Sequence, residues 1–89
     1  MPLVKIPAAY RGPTGGVDRL EVEGATVRAC LEAVAEQFPG FGEQVWDKGQ
    51  TVHRFVSLFV NGDEIDRQAV DTAVGASDEV EVMAAVAGG

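Results

Sequence analysis

Residues 55–62 read FVSLFVNG, an apolar run that ends in an Asn-Gly pair. The aromatic and β-branched side chains of this run favour a β-strand over residues 55–60. Asn61-Gly62 is the strongest turn signal in the chain, because both residue types tolerate the positive φ angles of a tight hairpin turn. The segment therefore predicts a strand that reverses direction and returns as a short strand around Ile65.

The two faces of this strand carry different side chains. Successive side chains point to opposite sides of a strand, so residues 56, 58 and 60 share one face and residues 55, 57 and 59 share the other. We expect the aliphatic face to lie against a helix. Phe59 would then form an exposed patch with Met83 and Val86, and such apolar patches are typical of docking sites. The alternative is that residues 41–54 cover Phe59.

The segment before this strand predicts a hairpin followed by a helix. Residues 3–6 and 17–23 have strand character, and the Gly- and Pro-rich residues 8–16 between them indicate a hairpin loop. Thr26 is a suitable N-cap for the helix that follows. The helix carries one apolar stripe, which consists of Val27, Cys30, Leu31, Val34 and Phe38. We expect it to end at Pro39-Gly40.

The remaining segments have weaker patterns of polar and apolar residues. Residues 41–54 predict only a short helical turn near Glu43, and residues 68–75 predict another. Residues 79–83 alternate between polar and apolar side chains and predict the last strand. Residues from Ala84 onward predict an extended tail. The element order indicates an α+β domain over residues 1–84, with a helix covering one face of a sheet and a flexible tail over residues 85–89.

Composition excludes several classes of protein. The chain has 89 residues, which fit one domain, and a formal net charge of −7, which disfavours binding to nucleic acids or anionic membranes. The acidity is compatible either with a basic protein partner or with simple solubility. The single cysteine, Cys30, cannot form an internal disulfide or hold an iron–sulfur cluster. The first residues predict no signal peptide, and we expect a cytoplasmic location.

Three features together resemble the MoaD/ThiS family of sulfur carriers over essentially the whole chain. They are the element order, the turn at residues 60–63, and the ending Ala85-Val86-Ala87-Gly88-Gly89. The resemblance implies a ubiquitin-like β-grasp fold, a mixed sheet of four to five strands with one main helix packed on one face. Residues 53–56 and 59–61 look most similar to the branch that serves an alternative route of cysteine biosynthesis. Molybdopterin carriers of archaeal type look similar over the same positions.

The resemblance also implies how the tail works. An E1-like adenylating enzyme of the MoeB/ThiF type would activate the carboxylate of Gly89, and a sulfur donor would convert it to a thiocarboxylate. Gly88 and Gly89 have no Cβ and would fit a narrow pocket of that enzyme, while Val86 and Ala87 would also contact the partner. Five residues span at most about 16–18 Å when extended, which is enough to enter such a pocket.

The same resemblance implies that the chain is not an enzyme and binds no cofactor of its own. The acceptor of sulfur would be a PLP-dependent cysteine synthase, and a JAMM-type metallopeptidase would release the product, so ATP, PLP and metal would belong to those partners. Molybdopterin or thiamin biosynthesis is the alternative pathway. A ubiquitin-like modifier joined to lysines and a plain interaction module are the alternative classes.

Other candidate residues have simpler interpretations. We expect Cys30 to be a buried structural thiol, because it lies on the apolar stripe of the helix. His53 has no second histidine or nearby cysteine with which to bind a metal. Six acidic residues of the C-terminal third either meet basic residues of a partner or form a solvated face: Asp63, Glu64, Asp66, Asp78, Glu79 and Glu81.

Overall fold

The computed structural model describes residues 1–47 and 51–84. Within these residues the chain forms five strands, two α-helices and one short 3-10 helix. The strands are β1 (Leu3–Lys5), β2 (Arg19–Glu21), β3 (Val56–Val60), β4 (Asp63–Ile65) and β5 (Glu79–Ala84), and the α-helices are α1 (Val27–Gln37) and α2 (Pro39–Val45). The 3-10 helix covers Ala8–Tyr10. None of these helices is long and apolar enough to cross a membrane.

The strands form one mixed sheet in the order β2-β1-β5-β3-β4. The β1–β5 pair is parallel, and the other neighbouring pairs are antiparallel. The last strand is therefore the middle strand of the sheet, and hydrogen bonds hold it on both sides. This arrangement confirms the predicted mixed sheet with a crossover helix between β2 and β3.

One face of the sheet builds the core. Val4, Val80 and Leu58 are fully buried, and they lie on three neighbouring strands. The α1 stripe packs into the same hydrophobic cluster, and its members Val27, Cys30, Leu31 and Val34 are also fully buried. The predicted face of β3 is confirmed, because Val56 and Leu58 belong to this core and Val60 packs partly buried against it. The Asn-Gly turn is confirmed as well, with φ angles of 52° at Asn61 and 87° at Gly62.

The start of α1 follows the sequence prediction. The hydroxyl oxygen of Thr26 accepts a hydrogen bond of 3.1 Å from the Ala29 backbone N–H, which would otherwise be unsatisfied at the first helical turn. The helix ends at Gln37, one residue before Phe38.

The prediction that the first helix ends at Pro39-Gly40 is confirmed, but a second helix starts at the same place. These residues begin α2, because proline suits the first position of a helix, where the missing N–H has no partner in any case. The helical turn expected near Glu43 is the second half of this helix. Gly42 lets α2 lie close to α1, since a Cβ at Gly42 would come within 2.8 Å of the Ala35 Cβ.

The prediction of a helical turn over residues 68–75 is wrong. This segment consists of successive reverse turns, with hydrogen bonds such as the one of 3.1 Å from the Thr72 N–H to the Ala69 carbonyl. The carbonyls of Val70 and Thr72 accept hydrogen bonds from the backbone N–H groups of Arg28 and Val27, at 2.7 and 3.0 Å. The segment therefore caps the first turn of α1 and cannot use the same carbonyls to form its own helix.

The hairpin over the first two strands is shorter and more structured than expected. β2 covers three residues of the predicted 17–23, although the Ile6 N–H to Asp18 carbonyl bond of 2.8 Å extends the pairing. The loop between the strands contains the 3-10 helix and a buried threonine, Thr14, whose hydroxyl lies 2.9 Å from the Val17 carbonyl oxygen and donates to it.

Candidate functional site

The predicted tail residues Val86, Ala87, Gly88 and Gly89 lie outside the described residues. Their roles therefore stay predictions. What the structure fixes is the place where the tail begins. β5 continues one residue further than expected, to Ala84, and Ala84 pairs with Val56 at the start of β3. The last described residue before the tail therefore lies beside the first residue of β3.

Four residues close to this point form what we call the tail-root cluster: His53, Arg54, Phe55 and Arg67. The rings of His53 and Phe55 lie 5.1 Å apart between centroids, and the Arg54 guanidinium carbon lies 4.9 Å from the centre of the Phe55 ring. His53 Nδ1 accepts a hydrogen bond of 3.2 Å from the Phe55 backbone N–H. The first three members are thus held together by ring stacking, a cation–π contact and a hydrogen bond.

The fourth member joins the cluster from another part of the chain. Arg67 follows β4, and it lines a shallow depression of about 240 Å³ together with Arg54. The same two arginines line a second depression of about 450 Å³, which also includes His53 and Phe55. Both arginines are exposed. The tail root therefore carries two solvent-accessible guanidinium groups around an aromatic ring.

The predicted docking residues lie on the open face of the sheet. Met83 is 44% exposed, whereas Phe59 is half-buried. The two side chains are diagonal rather than opposite neighbours, because Met83 pairs with Ser57 and Phe59 pairs with Glu81. The apolar patch of Phe59, Met83 and Val86 stays a prediction, because Val86 is not among the described residues.

Phe55 is a further candidate on this side that sequence reasoning did not select. Its side chain is 38% exposed. The signal was present, because residues 55, 57 and 59 alternate onto the same face of β3. Phe59 itself lies between Glu64 on β4 and Glu81 on β5. The open face therefore becomes more apolar toward the tail root and more acidic away from it.

The acidic residues of the C-terminal third do not have a common role. Asp63, Glu64 and Asp66 are exposed, as expected of a solvated or partner-facing surface. Asp78 has a structural role instead. Its carboxylate accepts hydrogen bonds from the Asn61 side-chain amide at 3.0 Å and from the Gly75 N–H at 2.7 Å. These bonds favour the ionised form and hold the pKa of Asp78 below its ordinary value.

The described residues do not assemble a set of catalytic groups. Cys30 is fully buried, and desolvation raises the pKa of its thiol, which is the reverse of what a nucleophile requires. No three His, Cys, Asp or Glu side chains of residues 1–47 and 51–84 come together as metal ligands. The chemistry that this part of the molecule offers is recognition at its surface.

Comparison with known proteins gives three consistent matches. The model of the ThiS family matches residues 4–89. The sulfur carrier protein CysO of Mycobacterium tuberculosis is 32% identical over 89 residues, which cover 97% of this chain and 96% of the relative. The solved structure of the Amycolatopsis orientalis BexX/CysO complex contains a chain of 30% identity, with a TM-score of 0.87 and complete coverage of both chains.

SAMP1 of Haloferax volcanii, a small archaeal modifier protein, shares the same fold at 26% identity, with a TM-score of 0.79 and coverage of 98% of this chain and 97% of that one. These matches confirm the β-grasp architecture and show a resemblance to CysO. The relative that is 32% identical is named as a sulfur carrier protein. The chain belongs to the ThiS/MoaD family of ubiquitin-like sulfur-carrier proteins.

Proposed function

We propose that this protein carries sulfur as a thiocarboxylate at Gly89 and delivers it to cysteine biosynthesis. The observation that supports the proposal most directly is the position of β5. This strand is held on both sides in the middle of the sheet, and its last described residue, Ala84, lies beside the first residue of β3. The identity of 32% to CysO supports the choice of pathway.

Loading of the tail proceeds in two steps on an E1-like adenylating enzyme. A carboxylate oxygen of Gly89 attacks the α-phosphorus of ATP, which releases pyrophosphate and leaves an acyl adenylate. A donor whose sulfur is at the oxidation level of sulfide then attacks the acyl carbon, and AMP departs with the former carboxylate oxygen. The mixed anhydride is needed because a free carboxylate has no adequate leaving group. Gly88 and Gly89 allow the backbone to enter a pocket where a Cβ would clash.

The domain contributes to this reaction by docking. Ordering the five tail residues costs about 1–2 kcal/mol each, so about 5–10 kcal/mol must be offset elsewhere. The exposed apolar side chains of Phe55 and Met83 lie near the tail root, and their burial against the partner would offset part of this cost. A free peptide with the sequence of residues 85–89 is therefore expected to be a poor substrate of the same enzyme.

Delivery of the sulfur involves further partners. A PLP-dependent cysteine synthase accepts the thiocarboxylate sulfur, and a JAMM-type metallopeptidase releases the cysteine that forms at Gly89. All of the cofactors of this route belong to the partners. The structure of a related CysO in complex with BexX supports the idea that such carriers dock on partner proteins.

The decisive measurement is the intact mass of the protein after co-expression with cognate adenylating enzymes and a sulfide source. We expect a gain equal to one exchange of oxygen for sulfur, and deletion of Gly89 should abolish it. Gly88→Ala should slow loading, whereas the matched change Gly12→Ala should not, because a Cβ at Gly12 meets no atom within 4 Å. A wild-type protein that gains no sulfur with any cognate adenylating enzyme would contradict the proposal.

The likeness to SAMP1 favours a second candidate, a ubiquitin-like modifier. In that case Gly89 would form isopeptide bonds with lysines of other proteins. Adducts of this kind in host extracts, lost when Gly89 is deleted, would support modification. A deletion strain that requires cysteine would support the proposed pathway, whereas one that requires thiamin or lacks molybdopterin enzymes would support the other carrier branches.

A further inference from the structure

The positive charges of this acidic protein are not distributed evenly. Three of the six Lys and Arg residues that the structure describes form ion pairs: Lys5 with Glu79 at 3.7 Å, Arg19 with Asp18 at 4.0 Å, and Arg28 with Asp71 at 3.3 Å. A fourth, Arg11, donates through Nε to the Ile6 carbonyl at 3.2 Å. These four cations are engaged within the domain itself.

Arg54 and Arg67 behave differently. Within the part of the chain that the structure describes, neither forms an ion pair, and both line the two depressions at the tail root, together with Asp47 in one depression and Glu64 and Asp66 in the other. Arg54 rests over the Phe55 ring at 4.9 Å, and this contact limits the freedom of its guanidinium group. A protein with a net charge of −7 thus keeps two accessible cations where its tail begins.

This location must face the enzyme that loads the tail. The tail begins at Ala84, beside Val56, and its reach of about 16–18 Å limits how far the entrance of the enzyme pocket can be from this end of the sheet. The reacting carboxylate of Gly89 lies at the other end of the tail. Arg54 and Arg67 are therefore placed to contact the entrance of the pocket rather than the ATP bound inside it.

We propose that Arg54 and Arg67 bind carboxylate side chains at the entrance of the tail pocket of the adenylating enzyme. Guanidinium groups suit this task because they form paired hydrogen bonds with carboxylates. Among the described residues, the other cations are engaged within the domain, so an acidic entrance favours the tail root over the other faces. The charge pattern thus orients the tail toward the pocket. This inference rests on the proposed function.

The test is steady-state kinetics of pyrophosphate release with the adenylating enzyme that loads the wild-type protein. Arg54→Glu and Arg67→Glu are compared with Arg19→Glu, which changes the net charge equally. Arg19 lies on β2 at the far edge of the sheet, and its side chain is 63% exposed. At low salt we expect the KM for the carrier to rise by about three- to tenfold in each tail-root variant and by less than about twofold in the control, with kcat nearly unchanged.

Two further measurements separate charge from structure. Arg54→Gln and Arg67→Gln should raise KM by less than the Glu variants, and the double Gln variant should show a weaker salt dependence of KM than the wild type. Thermal unfolding of each variant verifies that it is folded. If the tail-root variants change KM no more than Arg19→Glu does, the inference is wrong while the proposed function stands. If no cognate enzyme loads the wild type, the proposed function itself fails and this inference fails with it.

Discussion

Replacing Gly24 by alanine tests how tightly the chain before α1 is packed. A Cβ at this position would lie 2.9 Å from the Cys30 backbone nitrogen and 3.1 Å from the Ala29 carbonyl carbon. Those atoms cannot easily move, because the Cys30 N–H is already bonded to the Thr26 carbonyl at 3.0 Å. Overpacking of this kind costs about 1–3 kcal/mol, and we expect the free energy of unfolding to fall by that amount.

Urea unfolding followed by circular dichroism measures this effect. With a slope of about 1 kcal/mol per molar, the midpoint should fall by about 1–3 M, and the melting temperature should fall by about 4–8 °C for each kcal/mol lost. Gly12→Ala is the matched control, since it meets no atom within 4 Å and should leave stability unchanged or raise it by about 0.4–1 kcal/mol. Equal midpoints for the two variants would refute the packing argument.

Three further predictions concern single residues. Thr26→Ala should lower the free energy of unfolding by about 1 kcal/mol through loss of the helix cap. Thr26→Ser keeps a hydroxyl at the cap position and should retain most of this stability. Equal losses of stability for the two variants in urea melts would contradict the role of Thr26 as a cap. The pKa of Asp78 is lowered, so its contribution to stability is complete above its ordinary pKa and is lost as the pH falls through the folded value. Urea melts from neutral pH to about 3 should therefore show a smaller loss of stability in Asp78→Asn than in the wild type, and parallel curves would contradict this account. Cys30, which is buried with a raised pKa, should react with a disulfide reagent such as DTNB only after unfolding, and rapid labelling of the native protein would contradict its burial.

Elements with strong local patterns were predictable from sequence. The alternation of β3, the Asn61-Gly62 turn and the apolar stripe of α1 each depend on residues that are close in sequence. Only the second half of α2 was predicted, because Pro39 and Gly40 serve as stop signals for one helix and as the beginning of the next. The favourable role of Gly42 depends on Ala35 of a different helix and cannot be read from the local sequence.

The wrong prediction for residues 68–75 has a non-local cause as well. This segment places its carbonyls against the first turn of α1, more than forty residues earlier in the chain. The tail-root cluster follows the same principle. His53, Arg54 and Phe55 are consecutive and were part of the sequence resemblance. Arg67 joins them only because the β3–β4 hairpin brings the residues before β3 close to those after β4.

The central position of β5 has a consequence for how this protein is made. During synthesis β1 and β3 emerge long before the strand that separates and pairs with both of them. A nascent chain that stops before residue 79 lacks Val80 and Val82, two fully buried members of the core, and leaves both neighbouring strands with an unpaired edge. Cooperative folding must therefore wait until the last strand has left the ribosome. Shortened products that lack the strand would remain unfolded, and cellular proteases would remove them.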